Sequence, residues 1–431
     1  MTLVSIPFQI KELTNSYLAV GLIGAAEIIP LIIFGLYGGV LADKFDRRKL
    51  ILNAEIASMV VAALLLINSL LPNPNLIFIY VMAAIFAALD GISSPSMGAI
   101  IPRIVKSDDL VGAQAIMTIR WQFGAVVGPS LAGFVVATWS VKAGYAIDVF
   151  SYLLSIYLIA QIKPVPANSI GDKPDLHALV EGVKYATSRK DLMGTYLVDL
   201  SAMFFAMPNT LFPFWADQLN SRWALGFFYS AGSVGALITV LTGRWMSRYP
   251  HHGRAVMLSA FGWGAAITFA GIFHESLVLV LFFLMLAGAS DQVSAQMRSL
   301  IWNQSIADEY RGRLGGIELL SYMIGPIGGQ MRAGTAAAWT NLRTAVISGG
   351  LLCIGFIGLF SAALPEFRKY DVRTNKFVIQ KREKENFRKA YDINVTGPMY
   401  ISQLFVNSLK KSESPTIIFI TIGAKLMFIN Q

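Results

Sequence analysis

The sequence predicts an all-α membrane protein built from two six-helix halves. Three observations predict it. Apolar residues make up 55% of the 431-residue chain and charged residues only 14%, against about 25% charge in an ordinary soluble domain. The apolar residues come in runs of about 20, the length that crosses a hydrocarbon core. Motifs of the first half also return about 200 residues later.

Residues 1–13 (MTLVSIPFQIKEL) read as an incomplete first span. Complete spans follow at 18–42, 50–71, 77–99, 113–138 and 143–162. A linker, 163–190, places Leu176, Leu179, Val180 and Val183 on one face of a short surface helix. The second half runs through 192–215, 223–246, 255–273, 276–297, 315–340 and 343–364. The domain division is 1–162, 163–190, 191–365 and a cytoplasmic tail, 366–431.

The repeat is direct. Pro7-Phe8 returns as Pro213-Phe214, Asp90 as Asp291, and Gly128-Pro129 as Gly325-Pro326. Gly39-x-x-x-Asp43 returns as Gly243-x-x-x-Ser247, without the acid. Two repeated halves imply a transporter with its site between them near the midplane. Relative to the seventh span, the first lacks about a dozen residues before Met1. Either the chain starts late or upstream sequence exists.

The net charge of +9 follows from topology. Alternate loops (43–49, 102–109, 163–190, 244–254, 298–313) hold 17 Lys and Arg, and the intervening loops hold 4. Basic loops mark the cytoplasmic side, so both ends of the twelve-helix unit are expected there. A multi-pass plasma-membrane protein in the lipid bilayer results, and no nucleic-acid partner is expected. No secretory signal is recognisable. The lone Cys353 excludes an intramolecular disulfide.

No Gly-x-x-x-x-Gly-Lys-Ser/Thr loop is present, so no nucleotide is expected to drive the cycle. His251-His252 stands in a loop without further ligands, which argues against a metal site. No cofactor and no enzymatic activity are expected. Ionisable residues inside spans are costly and usually functional. Glu27, three residues before Pro30, is the first candidate for proton coupling, with Asp148 and Asp199 behind it. Arg120 and Arg332 are candidate cavity residues. The alternative for each acid is a fixed partner of Arg120 or Arg332.

The string Gly39-x-x-x-Asp43-Lys44-x-x-Arg47-Arg48 resembles the signature loop between the second and third helices of major facilitator superfamily transporters. Asp46 stands where that family usually has glycine. The resemblance implies a gating latch, in which Asp43 meets the start of the eleventh helix, near Leu314–Glu318. Asp90, placed near the cytoplasmic end of the fourth helix, then pairs with Arg47. In the fifth span, Gly124, Gly128, Pro129 and Gly133 form a flat, bent face. They look like the motif of the drug/proton antiporter branch, with Ala132 replacing one glycine; generic helix packing is the alternative. Asp90-Gly91-Ile92-Ser93-Ser94-Pro95, Pro102-Arg103, Arg120-Trp121 and 199–213 look like the enterobactin-exporter-like group. The implied function is proton-coupled export of a small organic molecule, siderophore or drug-like, by a unit read as a monomer. Uptake, lipid flipping or a non-transporting remnant stay open.

The tail differs. Residues 366–392 are rich in charge, and 415–421 read as a buried strand. From Asp392 the tail resembles the fourth helix and fifth strand of short-chain dehydrogenases, but lacks their glycine-rich loop and Tyr-x-x-x-Lys pair. A short, non-catalytic α/β fragment on a flexible attachment is expected. A membrane-anchored oxidoreductase is the alternative of a different class.

Overall fold

A computed structural model describes residues 1–105, 109–164, 184–185, 187–306 and 308–391. Nine segments among them are long and apolar enough to span a membrane, which makes the chain an integral membrane protein. The first half holds α1 (Thr2–Thr14), α2 (Tyr17–Lys44), α3 (Arg47–Leu70), α4 (Leu76–Ile104), α5 (Leu110–Thr138) and α6 (Val141–Ala160). The second holds α7 (Lys190–Ala206), α8 (Phe212–Gln218), α9 (Leu225–Thr242), α10 (His252–Ile272), α11 (Leu277–Ser305), α12 (Asp308–Trp339) and α13 (Leu342–Ala363). Two shorter helices, α14 (Pro365–Arg368) and α15 (Lys376–Tyr391), follow.

Local chemistry sets the helix starts. Ser16, Ser140 and Asn341 accept from the backbone N–H three residues on, at 3.3, 3.1 and 2.8 Å. Each satisfies a donor that the first helical turn leaves over. Asp46 caps α3 in the same way, accepting from Lys49 at 3.2 Å. That explains an acid where the signature loop usually has glycine. The repeat extends to the backbone: Asn15 and Asn220 take φ of 47° and 49°, the left-handed region that Asn tolerates at helix ends.

The end carrying the turn between α2 and α3 is called here the basic end. The halves meet along two seams, α2 with α12 and α5 with α9. Both are tight toward the opposite end. There Gly21 lies against Gly334, Gly24 against the Ile327 carbonyl, and Gly133 against Gly226, leaving no room for a Cβ. Nearer the basic end, a Cβ at Gly35, Gly124 or Gly128 would meet none of the described residues within 4 Å.

The expected flexible attachment is corrected by the structure. After α13 the chain folds back onto the second half. Phe367 is wholly buried against Gly194 and Gly253, and Tyr370 and Val378 are buried too. The Val372 N–H donates to Pro250 O at 3.1 Å, and Lys381 Nζ to Ile306 O at 2.8 Å. Charge alone suggested flexibility, but the apolar residues spaced between the charges find a groove that only the assembled bundle offers. The surface helix expected in the linker and the α/β fragment expected beyond 392 lie outside the described residues.

Candidate functional site

α7 stops at Ala206 because Pro208 has no N–H to continue the helix. A 3-10 turn, Asn209–Leu211, joins it to α8. The Asn209 carbonyl closes that turn by accepting from the Phe212 N–H, and Tyr229 of α9 also donates its hydroxyl to it, at 3.4 Å. Thr210 is buried at the same break. Among the described residues its hydroxyl has no partner.

These three residues face a cavity of about 390 Å³ between the halves. Glu27 of α2 and Asp90 of α4 line it from the first half, and Gln330 of α12 from the second. Ile23, Phe86 and Ile327 supply apolar wall. α2 and α4 pack backbone to backbone where Gly91 meets Gly35 and Gly38, which sets the two carboxylates on adjacent helices. Ser94 donates to Asp90 at 3.3 Å. A second cavity, about 230 Å³, shares Asn209 and Tyr229 and holds Asp291. The repeated acids Asp90 and Asp291 therefore face adjoining spaces.

Several expected residues lie elsewhere. Asp90 is mid-helix rather than near the helix end, because α4 continues to Ile104. It bonds to Ser94, and the pair expected with Arg47 is not formed; Arg47 is buried at the start of α3. Arg48 donates to the Ile159 carbonyl at 3.3 Å and also to Ala160. It thereby satisfies the last carbonyls of α6, where the helix dipole favours a cation. Gly39 lies within α2; the side chains of Asp43 and of the α12 start that Asp43 was expected to meet lie outside the described residues.

Asp148 accepts from the Thr2 N–H at 2.8 Å and from the Thr2 hydroxyl. It joins α6 to α1. Asp199 pairs with Arg298 of α11 rather than with Arg120 or Arg332. The apolar run of the tenth span ends at 297 and leaves Arg298 in a loop, but α11 runs on to Ser305 and carries it. Arg332 donates to the Ala345 carbonyl of α13 at 3.4 Å. Arg120 is exposed on α5. Of the three motif glycines, Gly133 makes a tight contact with the other half, while a Cβ at Gly124 or Gly128 would meet none of the described residues within 4 Å.

The sequence reading missed an ionic clasp. At the opposite end, Lys11 of α1 reaches across to Asp217 of α8 and also pairs with Glu12 at 3.0 Å. Arg222 pairs with Asp217 at 2.6 Å and with Glu12 at 3.5 Å. Nearby, Tyr17 packs on Phe214 with ring centroids 4.2 Å apart. Lys11 and Arg222 had been read as the few cations of the outer loops. Lys11–Asp217 and Arg222–Glu12 join residues about 200 positions apart, which no local spacing reveals.

The arrangement is two halves, joined tightly at one end, around a cavity with two carboxylates. A family model described as Major Facilitator Superfamily matches residues 1–267. The chain belongs to the major facilitator superfamily. Like its relatives in that superfamily it is a secondary transporter rather than an enzyme. It is similar to the enterobactin exporter EntS of Escherichia coli O1:K1 / APEC, with 27% identity over 374 residues, 85% of this chain and 88% of that one. In fold it is similar to the nucleoside transporter NupG, with a TM-score of 0.60, 13% identity, and coverage of 85% and 96%. It is also similar to a POT family transporter in complex with 5-aminolevulinic acid, with a TM-score of 0.68, 11% identity, and coverage of 85% and 93%. These two likenesses establish fold alone. Within the superfamily fold, the site described above is the space between the halves.

Proposed function

We propose that this chain exports a small organic molecule across the plasma membrane in exchange for protons, by alternating access, with the basic end in the cytoplasm. The placement of Glu27 and Asp90 together on the wall of the inter-half cavity carries this reading. An acid that faces the cavity can hold a proton in one state and release it in the other. The tight seams at the opposite end and the open glycines toward the basic end support a state that loads from the cytoplasm. Asp148 and Asp199, each tied to another helix, are better read as structural links.

The described lining holds two acids and no base. A neutral or cationic drug-like molecule suits it. A siderophore is the second reading, favoured by the similarity to a protein named for enterobactin export.

The test uses full-length chain in proteoliposomes with an imposed pH gradient and ethidium as the probe cation. Glu27→Gln is expected to bind ethidium but to lose gradient-driven accumulation. Accumulation at the unsubstituted rate would move the coupling role to Asp90. No transport by the unsubstituted protein, over a panel of neutral and cationic probes, would overturn the export reading.

A further inference from the structure

The folded-back segment after α13 builds a second site. Between the start of α10 and the turn after α14 lies a cavity of about 600 Å³. His251, Arg254, Arg368, Lys369, Asp371 and Thr374 line it. The only acid in this lining is already engaged: Arg373 grips Asp371 through both carboxylate oxygens, at 3.1 and 2.7 Å, and His251 approaches it at 3.2 Å. Arg254, Arg368 and Lys369 are exposed. Among the described residues none of the three has an acidic partner. Three uncompensated cations therefore converge on one concave space.

Two further features point to an anion. α10 is 21 residues long and begins at this cavity, and His251 at its N-cap makes no side-chain capping bond. The leftover backbone N–H groups and the positive end of the helix dipole favour negative charge there. The cavity also lies where a membrane span begins. Tyr249 bridges to it, edge-on to His251 at 5.9 Å and to Trp245 at 6.3 Å. Trp245 is itself exposed. Exposed Trp and Tyr mark headgroup depth, and basic pockets at that depth suit lipid phosphates.

We infer that this cavity binds a phosphate group, and that the phosphate belongs to an anionic membrane lipid seated between α10 and the segment after α13. A headgroup there joins Arg254 of the bundle to Arg368 and Lys369 of the segment through charge-assisted hydrogen bonds. It adds to a docking already made by Phe367, Tyr370 and Val378 and by the Val372 and Lys381 hydrogen bonds. The site is separate from the inter-half cavity and does not depend on what is transported.

Full-length chain in detergent is titrated with phosphatidylglycerol, phosphatidylcholine and inorganic phosphate. Bound lipid is counted by native mass spectrometry, and thermal stability is followed in parallel. The expected result is retention of phosphatidylglycerol over phosphatidylcholine and a rise in melting temperature with phosphatidylglycerol only. Arg254→Gln/Arg368→Gln/Lys369→Gln should weaken that binding by about tenfold or more. Thr374→Glu, which adds an acid and removes no cation, should do the same. Lys142→Gln/Arg343→Gln, at the opposite end, should not. Stabilisation by inorganic phosphate as large as by the lipid, lost in the same variants, would uphold the phosphate site and overturn its assignment to lipid. Undiminished phosphatidylglycerol binding by both the triple variant and Thr374→Glu would overturn the site itself.

Discussion

Lys11 of the first half is buried and ion-paired with Asp217 of the second. The pair closes the end opposite the basic loops. Lys11→Met should loosen that end without unfolding either half, since Asp217 keeps Arg222 as a partner. The check is labelling of a cysteine placed at Gln218 by an impermeant maleimide; the native Cys353 is buried. A severalfold rise in labelling rate is expected. Rates equal to those of the parent would show that the pair does not hold the halves together.

Asp199 and Arg298 tie α7 to α11, each only 6% exposed. Arg298→Leu strands a buried carboxylate, which costs about 3–5 kcal/mol. The double variant Asp199→Leu/Arg298→Leu should recover part of that, because Asp199 is no longer stranded, while Asp291, which Arg298 approaches at 4.0 Å, loses that cation in both variants. Melting temperature in detergent distinguishes the two. A single variant as stable as the parent rules out a structural role for the pair.

Gly133 and Gly128 lie on one helix but in different surroundings. Gly133→Leu should destabilise the protein, because its side chain would meet the Gly226 backbone. Gly128→Leu should leave stability unchanged, because none of the described residues lies within 4 Å of its Cβ position. It should nevertheless slow turnover, if the seam closes over Gly128 in the alternate state. Normal turnover by Gly128→Leu would remove the fifth-helix motif from the transport cycle.

The segment after α13 should be needed for stability. Phe367→Ala empties a buried aromatic site, at a cost of about 3–5 kcal/mol. Truncation after Pro365 should lower the melting temperature at least as much. A truncated protein that melts with the parent would restore the flexible-attachment reading.

The same segment has a defined pH response. Hydrogen bonds from Arg373 hold the Asp371 carboxyl well below the usual carboxylate range. A lowered folded-state pKa gives stability that is present above the unfolded value, about 3.9. That stability is lost only as pH falls through the lowered one. Hydrogen-exchange protection of the Val372 amide should therefore not change between about pH 5 and 8 through Asp371. Asp371→Asn should reduce that protection across the whole window. Protection that fades near pH 6 in the parent would place its control in another group.

Spans and repeats were readable from the chain because they depend on patterns along the sequence. Apolar runs of span length set the helices, and the 200-residue repeat set two halves. The break in α7 at Pro208 falls inside 192–215, a stretch that reads as one apolar span. Glu27 stood out as an intramembrane acid, and Asp90 stood out through its echo at Asp291. What each charge does was decided by tertiary structure. A charge inside a bundle takes its role from whatever lies across the helix interface, and sequence periodicity says nothing about that. Thus Asp148 and Asp199 became links to α1 and α11, Arg48 capped α6, and Lys11 found Asp217. Phe367, Tyr370 and Val378, scattered through a charged stretch, had no visible purpose until the folded second half supplied the groove that buries them.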